Sequence, residues 1–456
     1  MSKQVLPCGC GVILGCWFAF FACVSSAVAQ KQHRPMIFGG YFEEWGSAYS
    51  GYNITDLDKN GVADRLTHLI YAFGDVSAEA VPKCAIEDPV AAYQNSSVPG
   101  VRGKPFTAPL YGHFGAIQQL KVLHPALKVL ISLGGQAGNP AGFVTASRTA
   151  EGRATLAASC IDLFVKGNIA PEVRAPGLFD GFNIDWEFPE AADKFNFTAL
   201  LKEFRTQLDA LSKTTGKKYV LTFDSPAGPQ KYANIELQAA AAQVDFLTID
   251  GYDLAEATEK RTNEHSPLYD ALDDPRLAEL RNIDATVQAY LKAGVPAAKY
   301  TMGIPLYAVG WTGVAAANRG LYQPATGAAP VLLADGSGVC PNPDKKDPST
   351  GCDTLLSPGF LTYATIENLV NKHGYTAWYD PARVSATLYN SAIGTFYTYD
   401  DLTSVAAKTS YIEKMKLGGA YVWALKDDDA NASLTKAIAA GLREIAQNQV
   451  APPEKK

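Results

Sequence analysis

Short apolar runs rich in β-branched and aromatic residues recur along the chain, at 36–42, 66–73, 127–133, 178–184, 219–223, 244–249, 300–306 and 418–423. Between them the apolar positions fall at helical spacing, over 114–123, 149–166, 197–211, 283–293 and 434–445. Near-continuous apolar strands alternating with helices are what a parallel sheet covered on both faces requires. Eight such units predict an α/β fold, a (β/α)8 TIM barrel over residues 30–445. The spacing is uneven, and the excesses locate elaborations. Residues 77–113, rich in Pro, Gly and Ser, read as a long loop on the barrel rim. Between the seventh and eighth runs lie about 110 residues, far more than one helix needs. There 360–372 carries a helical pattern, while 376–379, 386–389 and 395–399 alternate like antiparallel strands. This predicts a small α+β insertion over 312–398, and the polar, Pro-containing segment 446–456 reads as an unstructured tail.

The first 29 residues carry Lys3, an apolar run over 12–24 and Ala27-Val28-Ala29 before Gln30, the pattern of a secretory signal peptide cleaved near Ala29 and Gln30. The run is short for a membrane span, and Cys16 and Cys23 leave a lipoprotein leader as another reading. Cleavage would yield a secreted, extracellular chain with no membrane partner. It would also leave four cysteines, an even count that suggests two disulfides. Pairing Cys340 with Cys352 closes a short Pro/Asp/Gly-rich loop and leaves Cys84 with Cys160. A formal net charge of -6, with no basic patch, disfavours nucleic acid as the main partner. Six Trp and 22 Tyr are generous for a core and suit stacking on sugar faces.

The fourth run is the most chemically loaded. In an extended strand Asn183, Asp185 and Glu187 share one face, while Phe182, Ile184 and Trp186 share the other. Leu178-Phe179 before it and the aromatic neighbours argue against a solvated edge. Burying two carboxyls and an amide without function is costly, so this face reads as an active site. The ends of the other runs are polar or aromatic too: Phe73 with Asp75, Gly134-Gly135, Asp224, Asp250 with Tyr252 and Asp253, Tyr307 and Trp423. In such barrels the active site is built at these strand ends.

The segment Asp180-Gly181-Phe182-Asn183-Ile184-Asp185-Trp186-Glu187 resembles the Asp-Gly-x-Asp-x-Asp-x-Glu signature of glycoside hydrolase family 18, the chitinases. Ser132-Leu133-Gly134-Gly135 is similar to the family's strand-three Ser-x-Gly-Gly, and Gly251-Tyr252-Asp253 to its strand-six Tyr-Asp pair. The likeness runs from Pro35 to Ile445. It implies a monomeric chitinase, without cofactor or metal, that hydrolyses β-1,4 bonds between N-acetylglucosamine units of chitin or chitooligosaccharides. It implies a retaining mechanism in which the substrate's 2-acetamido group is the nucleophile. In that scheme Glu187 is the acid, Asp185 orients the acetamido N–H and stabilises the oxazolinium ion, and Tyr252 binds the acetamido oxygen. Asp253 holds the distorted sugar and Trp423 forms the floor, with Tyr41, Phe73 and Tyr307 as further sugar contacts.

Three positions depart from the family pattern. Asn183 stands where the family has an aspartate that shares a proton with the one matching Asp185; an amide can donate to Asp185 but cannot take a proton. Gln136 replaces a Trp found in many relatives. Asp250 stands where Met or Gln is usual and adds a carboxyl beside Asp185 and Tyr252, near the substrate. Other readings are an endo-β-N-acetylglucosaminidase acting on N-glycan chitobiose cores, a non-hydrolytic chitin-binding lectin, and a metal-dependent barrel enzyme using Asp185, Glu187, Asp224 and Asp250 as oxygen ligands.

Overall fold

The computed structural model describes residues 36–136, 138, 140–343 and 350–448. The leader predicted at 1–29 and residues 449–456 of the predicted tail lie outside them. Eight parallel strands form the barrel: β1 (Ile37–Glu43), β2 (His68–Val76), β3 (Lys128–Gly134), β4 (Gly181–Asp185), β5 (Val220–Ser225), β6 (Phe246–Ile249), β7 (Tyr300–Pro305) and β8 (Gly419–Trp423). Each pairs with its sequence neighbours, and β8 pairs with β1 to close the ring. Every predicted run is a barrel strand, because a strand buried on both faces must be apolar nearly throughout.

Helices cover the outer face. The helix Lys194–Thr215 buries Phe197, Leu200, Leu201, Phe204 and Leu208, a stripe at three- and four-residue spacing. It ends where Gly216 takes a left-handed conformation and its N–H bonds to the Ser212 carbonyl. The helix Ile283–Lys292 is capped by Asn282, whose side chain accepts from the Ala285 N–H at 2.7 Å. The last helix, Ser433–Asn448, runs three residues into the segment read as tail.

Between β7 and β8 stands a second, antiparallel sheet. It contains Tyr307–Thr312, Gly327–Ala328, Phe360–Thr362, Thr376–Asp380, Ser385–Asn390 and Thr395–Tyr399. The helix expected over 360–372 is shorter. Phe360–Thr362 pairs with Tyr307–Val309 as a strand, and Thr362 then caps a helix limited to Tyr363–Leu369. The rim loop after β2 is also more ordered than its composition suggested. Cys84–Ile86 folds back antiparallel on Gly74–Val76, tethered by the Cys84–Cys160 disulfide. Cys340 pairs with Cys352, so both disulfides expected from the sequence are formed.

Candidate active site

β4 fixes the centre of the site by alternation. Trp186 points to the helical layer, stacking on Phe143 with ring centroids 5.5 Å apart and meeting Phe197 edge-on at 5.8 Å. Asn183 and Asp185 point into the barrel, and Glu187 follows just past the strand end. Asn183 is wholly buried and fully engaged. Its Oδ1 accepts from Tyr41 Oη at 3.0 Å and Ser132 Oγ at 2.7 Å, and its Nδ2 donates to Thr248 Oγ1 at 3.2 Å. The amide therefore serves Thr248 rather than Asp185, contrary to the expectation from sequence. Asp185 Oδ1 is buried with no hydrogen-bond partner.

Of the carboxyls that border one cavity of about 510 Å³, Asp185, Glu187, Asp224 and Asp250 cluster at the barrel strand ends. Burial pushes Glu187 up to about 7; the nearby Lys231 ammonium opposes this and the Asp253 carboxyl adds to it. Asp185 lies well above the usual carboxylate range, first through burial and then through repulsion from Glu187 and Asp250. Asp224 is raised in the same way, by burial and then by Asp250 and Asp185. Asp250 is pushed up to about 8 by burial and Glu187, against the pull of hydrogen bonds from Tyr421 and Tyr252. Buried like charges this close cannot all ionise, so the cluster keeps protons at neutral pH. Among the described residues no group of three or more His, Cys, Asp or Glu side chains is arranged to hold a metal ion.

Aromatic rings form the apolar surface facing these acids. Trp423 stacks on Phe73 at 5.9 Å and lies 5.0 Å from Tyr41, and Phe73 stacks in turn on Trp45 at 5.9 Å. The turn after β3 makes room for this row: at Gly135 (φ +80°) a Cβ would sit 2.4 Å from the Phe73 ring. On the opposite wall Tyr307 Oη donates to Asp253 Oδ1 at 2.6 Å, while the Asp253 side chain stays half open to solvent. Tyr252 Oη lies 3.3 Å from Tyr421 Oη, which donates to Asp250 Oδ1 at 3.0 Å. Gly303 permits this tyrosine pair, since a Cβ there would lie 2.7 Å from Tyr421 Oη.

Ten residues singled out from the sequence border the cavity: Tyr41, Phe73, Asp185, Glu187, Asp224, Asp250, Tyr252, Asp253, Tyr307 and Trp423. Asn183 does not; it lies beneath, behind Tyr41 and Ser132. Gln136 is also on the wall, as is Phe360 from the second sheet. Sequence reasoning missed Trp45, Lys231 and Tyr421. Tyr421 was findable, being two residues before Trp423 on the same strand and so on the same face. Trp45 and Lys231 stand on connections after strand ends, where no period marks direction.

A (β/α)8 barrel whose strand ends offer a carboxyl cluster opposite an aromatic floor defines a glycoside-cleaving type of site. The chain belongs to glycosyl hydrolases family 18, whose family model matches residues 37–428. It is 34% identical over 429 residues to chitinase A1 of Niallia circulans, covering 85% of this chain and 56% of that protein. With chitinase B of Serratia marcescens it shares 30% over 358 residues, 70% of this chain and 68% of the relative. The catalytic domain of a psychrophilic chitinase B from Arthrobacter TAD20 superposes with a TM-score of 0.78 at 31% identity, over 90% of this chain and 95% of that one. The chain spans about half the length of several curated relatives it matches, 56% of chitinase A1 among them.

Proposed function

We infer that this protein is a chitinase: it hydrolyses β-1,4 bonds in chitin and chitooligosaccharides with retention, using the substrate's own acetamido group as nucleophile. The observation that carries this reading is Glu187 at the cavity wall, raised to about 7, with Asp185 two residues before it, at the end of β4, on the same cavity. A carboxyl with that affinity is substantially protonated at neutral pH, as a general acid must be.

Glu187 gives its proton to the glycosidic oxygen as the C1–O bond breaks, while the acetamido carbonyl oxygen closes on C1 to form an oxazolinium ion. Asp185 accepts the acetamido N–H and, as an anion, offsets the positive charge that develops there. Tyr252 donates its hydroxyl to the acetamido oxygen, and Trp423 supports the apolar face of the ring. Glu187, now a carboxylate, takes a proton from the water that opens the oxazolinium ion, which restores the starting state and gives net retention. Asp253, held by Tyr307, contacts the distorted sugar, with Tyr41 and Phe73 at the floor and Asp250 behind. Matches to bacterial chitinases at 30% identity or more support the substrate class. Secretion as a monomer, following removal of residues 1–29, belongs to the same reading.

The test is a product time course on chitin hexasaccharide with the parent and Glu187→Gln. The parent should release shorter oligomers, and the variant should lose about 10²- to 10⁴-fold in kcat. Full activity in the variant would refute the role of Glu187; a parent that binds without cleaving would instead make the protein a chitin-binding lectin.

A further inference from the structure

We propose that Ser266 is a positioning residue: its hydroxyl, directed by Lys408, locks the peptide between Gly251 and Tyr252 and so sets the angle at which Tyr252 meets the acetamido group. The proposal rests on the chitinase reading above, in which Tyr252 donates its hydroxyl to the acetamido oxygen. Tyr252 borders the cavity three residues past the end of β6, so the strand ladder does not hold it. A peptide group is planar, and fixing the Gly251 carbonyl oxygen therefore fixes the direction in which the chain leaves for the Tyr252 Cα. Ser266 Oγ donates to that oxygen at 2.5 Å. On the far side of the loop, the Leu254 N–H donates to the His265 carbonyl at 2.9 Å. Tyr252 and Asp253 are thus bracketed by bonds to two consecutive residues. Gly251 is also pressed against β7, since a Cβ there would sit 2.1 Å from the Gly303 carbonyl oxygen.

Lys408 decides where the Ser266 proton goes. Its ammonium brings three protons and has three acceptors: Asp400 Oδ2 at 2.5 Å, Ser266 Oγ at 2.6 Å and the Ser266 carbonyl at 2.8 Å. The Ser266 hydroxyl has one proton and two oxygens within reach, the Gly251 carbonyl at 2.5 Å and Asp400 Oδ2 at 3.1 Å. With Asp400 Oδ2 already supplied by Lys408, the hydroxyl proton goes to the nearer Gly251 oxygen. The lysine also pins the Ser266 backbone through its carbonyl. Ser266, Asp400 and Lys408 are all buried, so each bond lost leaves a polar group without a replacement. Asp400 directly follows the strand Thr395–Tyr399 of the second sheet, and Lys408 lies on the helix Leu402–Met415. The second sheet thereby reaches the group that meets the substrate through a chain of hydrogen bonds, in addition to lining the cavity.

The test measures kcat/KM on chitin hexasaccharide for the parent, Ser266→Ala, Tyr252→Phe and the double variant Ser266→Ala/Tyr252→Phe, each at a temperature where its melting curve shows it folded. Cleavage by the parent is the control: a parent that leaves the substrate intact refutes the chitinase reading, whereas the comparisons among variants bear on the positioning role alone. Ser266→Ala should lose at least about 10-fold. In Tyr252→Phe, which has no hydroxyl left to aim, the same change should cost less than about 2-fold more, because residues that act through one group are not additive. A smaller loss in Ser266→Ala overturns the proposal. So does a loss that multiplies in full with that of Tyr252→Phe, the behaviour of a generally loosened fold. Lys408→Met should show the same loss and the same lack of additivity with Tyr252→Phe, and a parent-like rate there overturns the part given to the lysine. Ser266→Ala removes a single buried hydroxyl, so it keeps the proposal open to refutation even where the lysine variant does not fold.

Discussion

In the proposed reaction Glu187 holds a proton at the start and gives it up in the first step, and its surroundings set where that balance falls. Because burial places it at about 7, kcat/KM should decline as pH rises through that value; a rate still climbing at pH 9 would contradict the assignment. Asn183→Asp adds a carboxyl in a closed pocket beside Asp185. Hydrolysis should persist with the alkaline limb moved upward, since a further negative charge holds neighbouring protons more tightly; superimposable curves would refute this. The cluster also has a stability cost with a definite sign. Asp250 ionises near 4 when unfolded and near 8 when folded, so the native state binds the extra proton between those values and stability falls as pH rises through them. Removing the group should help most at high pH. The melting temperature of Asp250→Asn should exceed the parent's by a margin that widens from pH 5 to pH 8. A constant margin would mean that Asp250 is not held neutral.

At the scale of elements, the strands were legible because burial on both faces writes a continuous apolar run. The second sheet was harder to read. Phe360-Leu361-Thr362 satisfies a helical count, yet it lies opposite Tyr307-Ala308-Val309, whose edge it completes, so tertiary pairing overrides the local pattern. The polar face of β4 could be read from the two-residue alternation of Asn183, Asp185 and Glu187. Their bonding could not, because the partners Tyr41, Ser132 and Thr248 come from three other strands. Lys231 was equally invisible, since its value lies in a distance to Glu187 that no spacing encodes. The stacked row of Trp45, Phe73 and Trp423 makes the floor a cooperative surface. Trp423→Ala should raise KM for chitin hexasaccharide about 10-fold or more, and an unchanged KM would place the sugar elsewhere. Where the second sheet returns to the barrel, Lys408 Nζ is buried between Asp400 Oδ2 at 2.5 Å and Ser266 Oγ at 2.6 Å. Lys408→Met would leave Asp400 as an unpaired buried charge and should cost about 3–5 kcal/mol in urea unfolding; a loss under 1 kcal/mol would show that water reaches the site.

For the molecule as a whole, the closed barrel lets residues 146 positions apart in sequence, such as Tyr41 and Glu187, border one cavity. The second sheet adds Tyr307 and Phe360 to its wall. Four carboxyls clustered at the strand ends are more than the nucleophile and acid that most glycosidases need. They suit a reaction in which a single acid acts and the remaining groups manage the charge of an intermediate made from the substrate itself. The central claim is therefore that the acetamido group is a reactant. The most direct measurement is the rate of chain cleavage for chitin hexasaccharide against its fully N-deacetylated counterpart at equal concentration. The deacetylated chain, lacking the internal nucleophile, should be cut at less than about one thousandth of the rate; comparable rates on the two would contradict substrate-assisted hydrolysis.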